Sequence, residues 1–221
     1  MQHPLFSSHI PGMAKPAPEM SAPCPSPPFA STPRWKGVSM SSMFALAATP
    51  TVPGRGGTDA RLLLELLYRQ ATGRSMPPLR RHKRGKPYFT QGGLHCSITH
   101  TRTMAFCVLS QVAVGLDAEQ LGRAVRPGLA EKVLSPREYA LWRQAPDPNA
   151  LFLTLWTLKE STVKYTGDGL RGYPNHLSFD PSGPTLDGSS LHFRLWTWEN
   201  HVVALCAPEP PPADLEIRRF F

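Results

Sequence analysis

The chain has 221 residues, 41% of them hydrophobic, with 24 Lys or Arg against 16 Asp or Glu and a formal net charge of +8. That length allows one compact domain or two small halves sharing a core, and the charge favours an acidic partner, whether nucleic acid, an anionic surface or an acidic protein. No apolar run approaches the length of a membrane-spanning helix, and neither a G-x-G-x-x-G nor a G-K-S/T phosphate loop occurs. Any phosphate must therefore be held by side chains and metal. The four cysteines, Cys24, Cys96, Cys107 and Cys206, include no C-x-x-C pair and no cysteine–histidine cluster of zinc-ligand spacing. Cys96 and Cys107 read as buried thiols, which suits a reducing compartment.

Residues 1–57 are rich in Pro, Ser and Ala, with sparse charge and no periodicity, and are expected to be disordered or a loosely draped arm. Met13, Met20, Met40 and Met43 are alternative starts. The apolar M-F-A-L-A-A at 43–48 is too short and too far along the chain for a signal segment. Ordered sequence is expected from Thr58, capping a helix over 59–71 with Leu62, Leu63, Leu66 and Leu67 on its apolar face and Gly73 at its end. The run L-R-R-H-K-R-G-K-P at 79–87 is a basic loop, open to a phosphate, to nucleic acid or simply to solvent. A strand follows at 94–101 (L-H-C-S-I-T-H-T), with His100 at its polar end, and a buried strand at 104–110 (M-A-F-C-V-L-S).

A further strand at 112–116 leads into Asp117 and Glu119. Residues two apart on a strand share a face, so these carboxylates stand together while Ala118 points away. Two adjacent acids repel unless a cation lies between them; a solvated strand end is the plain alternative. Ser135-Pro136-Arg137-Glu138 has the pattern of a capping box opening a helix with Tyr139, Leu141 and Trp142 on its apolar side. Asn149 is the expected cap of a second helix running to Gly167 and Gly169, with Leu151, Leu155, Leu158 and Thr162 on buried stripes. Trp156, Glu160 and Lys164, four residues apart, share its other side. Taken alone, Glu160 and Lys164 are read first as an exposed ion pair. Strands are expected at 177–179, 191–198 and 201–206, turning at 181–183 and at Glu199-Asn200, with Phe193, Leu195, Val203 and Leu205 in the core. Residues 208–212 end the fold, leaving a short tail. This order of elements argues an α+β fold rather than a doubly wound sheet.

Four motifs in order, G-K-P (85–87), S-I-T-H-T (97–101), V-G-L-D-A-E (114–119) and W-T-L-K-E-S-T-V-K-Y-T-G-D-G-L (156–170), resemble the 4′-phosphopantetheinyl transferases. The likeness is to the larger, surfactin-synthetase-activating type, and it covers roughly 58–206. It implies two pseudo-symmetric α+β halves, 58–113 and 114–221, each a small, mostly antiparallel sheet against a long helix, with the metal site in the second. It also implies transfer of the phosphopantetheine arm of coenzyme A to a serine of an acyl or peptidyl carrier protein, releasing adenosine 3′,5′-bisphosphate, in fatty-acid, polyketide or peptide biosynthesis. By the same resemblance Asp117, Glu119 and Glu160 match magnesium ligands, Lys164 the lysine on the pyrophosphate, and Lys86 and His100 the phosphate-contacting lysine and histidine. Glu160, directly or through a water, is the candidate general base and Lys164 its catalytic companion. A cytoplasmic monomer, with no nucleic-acid or membrane partner, is expected. In place of the family's Ser before the histidine stands Thr99. The family's structured, basic opening is not legible in 1–57, where Arg55, with Arg61 or Arg80 beyond, could supply the charge. Two other classes remain: a non-catalytic carrier binder, and a metal-dependent nuclease. The nuclease is disfavoured because its Glu and Lys usually stand two apart on a strand.

Overall fold

The structure is a computed structural model that describes residues 44–169, 174–180 and 182–221. Cys24, Met43 and the three earlier methionines, Leu170 at the end of the last motif, and Pro181 lie outside the described residues. The described residues open with β1 (Phe44–Pro50) and α1 (Gly56–Thr72), followed by the short β2 (Leu79–Arg81) and β3 (Pro87–Phe89), then β4 (His95–His100) and β5 (Met104–Ser110). After β6 (Gly115–Gln120) come α2 (Pro127–Val133), α3 (Pro136–Gln144) and α4 (Pro148–Thr166). The pair β7 (Phe179–Asp180) and β8 (Thr185–Leu186), then β9 (His192–Trp198), β10 (His201–Ala207) and β11 (Ile217–Arg219) complete it. The fold is α+β, as the order of elements implied.

Two sheets carry it. In the first, β1 pairs antiparallel with β5, β5 antiparallel with β4, and β11 adds in parallel on the far side of β1. In the second, β10 is flanked antiparallel by β6 and β9. The small ribbons β2–β3 and β7–β8 stand apart from both. The layers run α1, first sheet, second sheet, α4, and alternation of side chains along each strand sorts the core between them. Ala45, Ala47, Cys107 and Leu109 pack on Leu63, Leu64 and Leu67 of α1. Their neighbours Phe44, Leu46, Phe106 and Val108 face Leu116, Ala118, Val203 and Leu205 between the sheets. Val202 and Ala204, on the other side of β10, cluster with Phe152, Leu155 and Leu158 of α4. β5 is buried along its whole length, which is why it reads as an unbroken apolar run.

Several expectations are corrected. Residues 44–50, placed in the loosely draped arm, form a strand paired on both sides, and residues 56 and 57 open α1. Ala-rich sequence has little intrinsic strand preference, so only tertiary pairing makes this segment a strand. Thr58 is not the cap of α1: the helix begins after Arg55, whose side chain makes no capping bond. Leu62 is 49% exposed and Leu66 half-buried, while Leu64, Tyr68 and Ala71 complete the buried face instead. The cap of α4 is Asp147, which accepts from the Ala150 N–H at 2.9 Å; Asn149 turns to accept from the Val125 N–H, also at 2.9 Å. The expected tail is β11, with Leu215 and Ile217 buried against the first sheet. The capping box at Ser135 and Glu138 forms as expected, and Gly73 and Gly167 end their helices at φ 70° and 75°. Cys96, Cys107 and Cys206 are buried and unpaired. Among the described residues no helix is long and apolar enough to cross a membrane.

Candidate active site

The site is made where β6 lies on α4. Leu116 and Ala118 point into the core between the sheets, so Gly115, Asp117 and Glu119 point the other way, onto the helix. The strand can come this close because residue 115 has no side chain. A Cβ there would lie 1.9 Å from the carbonyl oxygen of Ser161 and 2.5 Å from the backbone nitrogen of Tyr165. The helix presents Trp156, Glu160 and Lys164 to the strand. Lys164 Nζ donates to Asp117 Oδ1 at 2.6 Å, and Trp156 Nε1 to Glu119 Oε1 at 2.9 Å. Arg123 reaches the other oxygen of Glu119 at 3.4 Å. Glu160 is thus not half of the exposed i,i+4 pair that its spacing first suggests, because Lys164 turns to Asp117.

β4 supplies the third side. It makes no backbone ladder with β6; side chains join the two instead. Ser97 Oγ accepts from the Leu116 N–H at 3.0 Å, and Thr99 Oγ1 donates to Asp117 Oδ1 at 2.9 Å. The hydroxyl at position 99 thereby fixes the carboxylate two strands away in sequence. Spacing within either motif carries no signal for this contact, since it links residues 18 apart across two sheets.

The electrostatics single out Glu160. It is 8% exposed, and its Oε1 is buried without a hydrogen-bond partner. Burial, then the neighbouring Asp117 charge, push its carboxyl up to about 7, with Lys164 opposing and Glu119 adding to the rise. Burial also raises Glu119, against the pull of Arg123. Three carboxylates thus act on one another, and their hard oxygens, one of them an orphan, fit Mg²⁺ by chemistry. Among the described residues, however, no three acidic, histidine or cysteine side chains stand in a metal-holding arrangement. Asp117 and Glu119 are engaged by Lys164, Trp156 and Arg123 instead.

Lys86 and His100, expected at one ligand, line two different hollows. The smaller, about 300 Å³, lies between the β2–β3 ribbon and α4 and includes Lys86, Ser97, Glu160 and Lys164. Lys86 Nζ donates to the carbonyl of Tyr165 and lies 5.5 Å from its ring centroid. The larger, about 740 Å³, is lined by Gly56, Gly57, His100, Arg102, Glu119 and Arg123 among others. His100 there sits against the first residue of α1, where a Cβ on Gly56 would meet its ring at 2.5 Å. Glu119 lines the larger hollow and Glu160 the smaller. Arg123, Arg102 and the start of α1 were missed in the sequence, where nothing connects 56, 102 and 123.

The profile of the 4′-phosphopantetheinyl transferase superfamily matches residues 113–206, which span β6 to β10. The 4′-phosphopantetheinyl transferase HetI of Nostoc sp. is 36% identical over 99 residues, 39% of this chain and 40% of that protein. The 4′-phosphopantetheinyl transferase gsp of Aneurinibacillus migulanus is 33% identical over 94 residues, 41% of this chain and 38% of that protein. A longer similarity joins the chain to the uncharacterized protein YieE of Escherichia coli, 31% identical over 155 residues, 67% of this chain and 59% of that protein. The chain thus spans about 40% of the length of the first two relatives. The matched segment, residues 113–206, holds both the acidic strand and the helix that faces it, and it is this segment that is similar to the 4′-phosphopantetheinyl transferase superfamily.

Proposed function

We propose that this protein transfers the 4′-phosphopantetheine arm of coenzyme A to a serine of an acyl or peptidyl carrier protein, releasing adenosine 3′,5′-bisphosphate. The observation that carries this reading is the meeting of Asp117 and Glu119 on β6 with Glu160 and Lys164 on α4, leaving a buried, unpartnered Glu160 oxygen poised near neutrality. A carboxylate of that character can accept the proton of the incoming serine hydroxyl at physiological pH. Lys164, beside Asp117, is in reach of the same hollow and would carry charge on the pyrophosphate. Lys86, at the other wall, and His100, in the larger hollow, are the further phosphate contacts of this reading. Asp117, Glu119 and Glu160 would hold Mg²⁺, which when bound neutralises the pyrophosphate charge that repels an attacking oxygen.

The repeated order of elements supports two similar halves. Strand, helix, small ribbon and two strands occur as β1, α1, β2–β3, β4, β5 and again as β6, α4, β7–β8, β9, β10, with α2 and α3 inserted. In each set the last strand pairs antiparallel with the first and the fourth. The halves then divide at about residue 113, the first beginning at β1 rather than at Thr58. A cytoplasmic monomer remains the accompanying expectation.

The test is intact-mass measurement of an apo-carrier protein incubated with the full chain, coenzyme A and Mg²⁺. A carrier heavier by one phosphopantetheine arm, with the gain abolished by EDTA, is expected. An unchanged mass across several carriers, with the enzyme folded, overturns the reading. Neither a nuclease nor a silent carrier binder is favoured by any contact described above.

A further inference from the structure

The net charge is not spread over the molecule. Residues 66–116 hold eight Lys or Arg and no Asp or Glu, so this stretch accounts for the entire net charge of +8. Five of the eight lie on the β2–β3 ribbon and its turn: Arg80, Arg81, Lys83, Arg84 and Lys86. Their fates differ. Lys86 turns inward to the Tyr165 carbonyl, and Arg84 pairs with Asp168 beyond the end of α4. Arg81 donates to the carbonyl of Gly85 across the turn at 2.8 Å. Arg80 and Lys83 are exposed, and among the described residues no acid pairs with either. The ribbon that carries them is braced: His82 stacks on Tyr88 with ring centroids 4.2 Å apart, and Arg84 ties it to the far half. It also forms one wall of the hollow that holds Glu160 and Lys164.

We propose that the β2–β3 ribbon is the docking surface for an acidic protein face, that of the carrier protein which receives the transferred group. The identity of that partner rests on the transfer reading above; the surface itself rests on the charge and its position. Exposed cations that satisfy no internal acid do nothing for the fold beyond mutual repulsion, whereas at the mouth of a site they steer and orient an oppositely charged partner. A protein face is favoured over nucleic acid because the ribbon's aromatic rings are engaged internally, Tyr88 stacked on His82 and Phe89 buried in the core. A small anion is disfavoured because Arg80 and Lys83 do not line the hollow.

The experiment measures binding apart from turnover. A fluorescently labelled, acidic apo acyl carrier protein is titrated with the full chain at about 50 and about 300 mM salt, since screening weakens exposed charge contacts. Binding by the unaltered chain is expected to weaken about tenfold over that range. Arg80→Glu with Lys83→Glu is expected to lower affinity at least about tenfold at low salt and to flatten the salt dependence. Arg143→Glu with Arg218→Glu makes the same change in net charge on α3 and β11 and is expected to leave affinity within about twofold. Thermal melting of the milder Arg80→Gln, Lys83→Gln chain checks that the ribbon still folds, and its affinity is expected to fall between those of the other two.

Unchanged affinity in the ribbon variant overturns the proposal, as does equal loss in the distant pair. So does a duplex oligonucleotide that displaces the carrier from the ribbon. Absence of salt-dependent binding by the unaltered chain overturns it too. Ribbon-dependent binding without transfer sinks the transfer reading and leaves the docking surface standing. Transfer with ribbon-independent binding does the reverse.

Discussion

Glu160 is a nearly buried acid set among other charges. Its neighbours on three sides are an aspartate, a lysine and a glutamate, and one of its oxygens has no partner. Without metal, the folded chain keeps a proton on Glu160 between its ordinary value of 4.5 and about 7, where the unfolded chain has lost it. The folded state then binds more protons, so stability falls as pH rises through that window. The loss at pH 8 is on the order of 3 kcal/mol. Urea unfolding in EDTA should show it, and Glu160→Gln should remove the Glu160 share of the pH dependence, leaving the smaller share of Glu119, and be the more stable chain at pH 8. Added Mg²⁺ should flatten the parent profile by favouring the ionised carboxylate. For transfer, Asp117→Ala or Glu160→Ala should abolish the mass gain on the carrier with the fold intact by circular dichroism. Normal turnover in either sinks the magnesium assignment. Lys164→Ala should lower kcat strongly, and an unchanged rate would mean that its contact with Asp117 has no part in the reaction.

At the scale of elements, the site depends on how β6 and α4 are held together. Gly115→Ala would drive a methyl into the Ser161 carbonyl and the Tyr165 backbone, neither of which is a flexible side-chain end. Strand and helix must part, at a cost of roughly 1–3 kcal/mol, and Asp117 moves away from Lys164. Lower melting temperature together with lost transfer is the expected pair of readouts. α4 has a second anchor on its other side. Lys159 and Glu138 are wholly buried at 2.7 Å, with Lys159 also donating to the carbonyls of Pro174 and Leu177. Glu138 accepts from the backbone of Ser135 at 2.7 Å and of Phe179 at 2.8 Å. A pair so fully bonded is costly to break from one side only. Lys159→Met should destabilise by about 3–5 kcal/mol in urea unfolding, since it strands a buried carboxylate. The capping-box glutamate was legible from its spacing, but its bond to Lys159 was not, because two helices must first pack to bring them together.

At the scale of the whole molecule, β1 is what the sequence concealed. It lies between β5 and β11, and its side chains fill the core on both faces of the first sheet. A chain cut to begin at Thr58 removes that strand, exposes the edges of β5 and β11, and should be insoluble or without a cooperative thermal transition. A chain cut to begin at Met43 retains it and should melt cooperatively. A folded chain from Thr58 would mean that β1 is dispensable.

The sequence by itself determined the local chemistry: the strand alternation that puts Asp117 and Glu119 on one face, the helical spacing that aligns Trp156, Glu160 and Lys164, the capping box, the helix-ending glycines and the buried strand at 104–110. These are set by neighbours along the chain, so period and spacing reveal them. Only the tertiary structure decided the rest. It made strands of 44–50 and 217–219, took Lys164 to Asp117 rather than Glu160, set Thr99 on the same carboxylate, and parted Lys86 from His100. Each of these depends on residues brought together by packing of the two sheets and their helices. No pattern within a single segment encodes which distant partner will arrive.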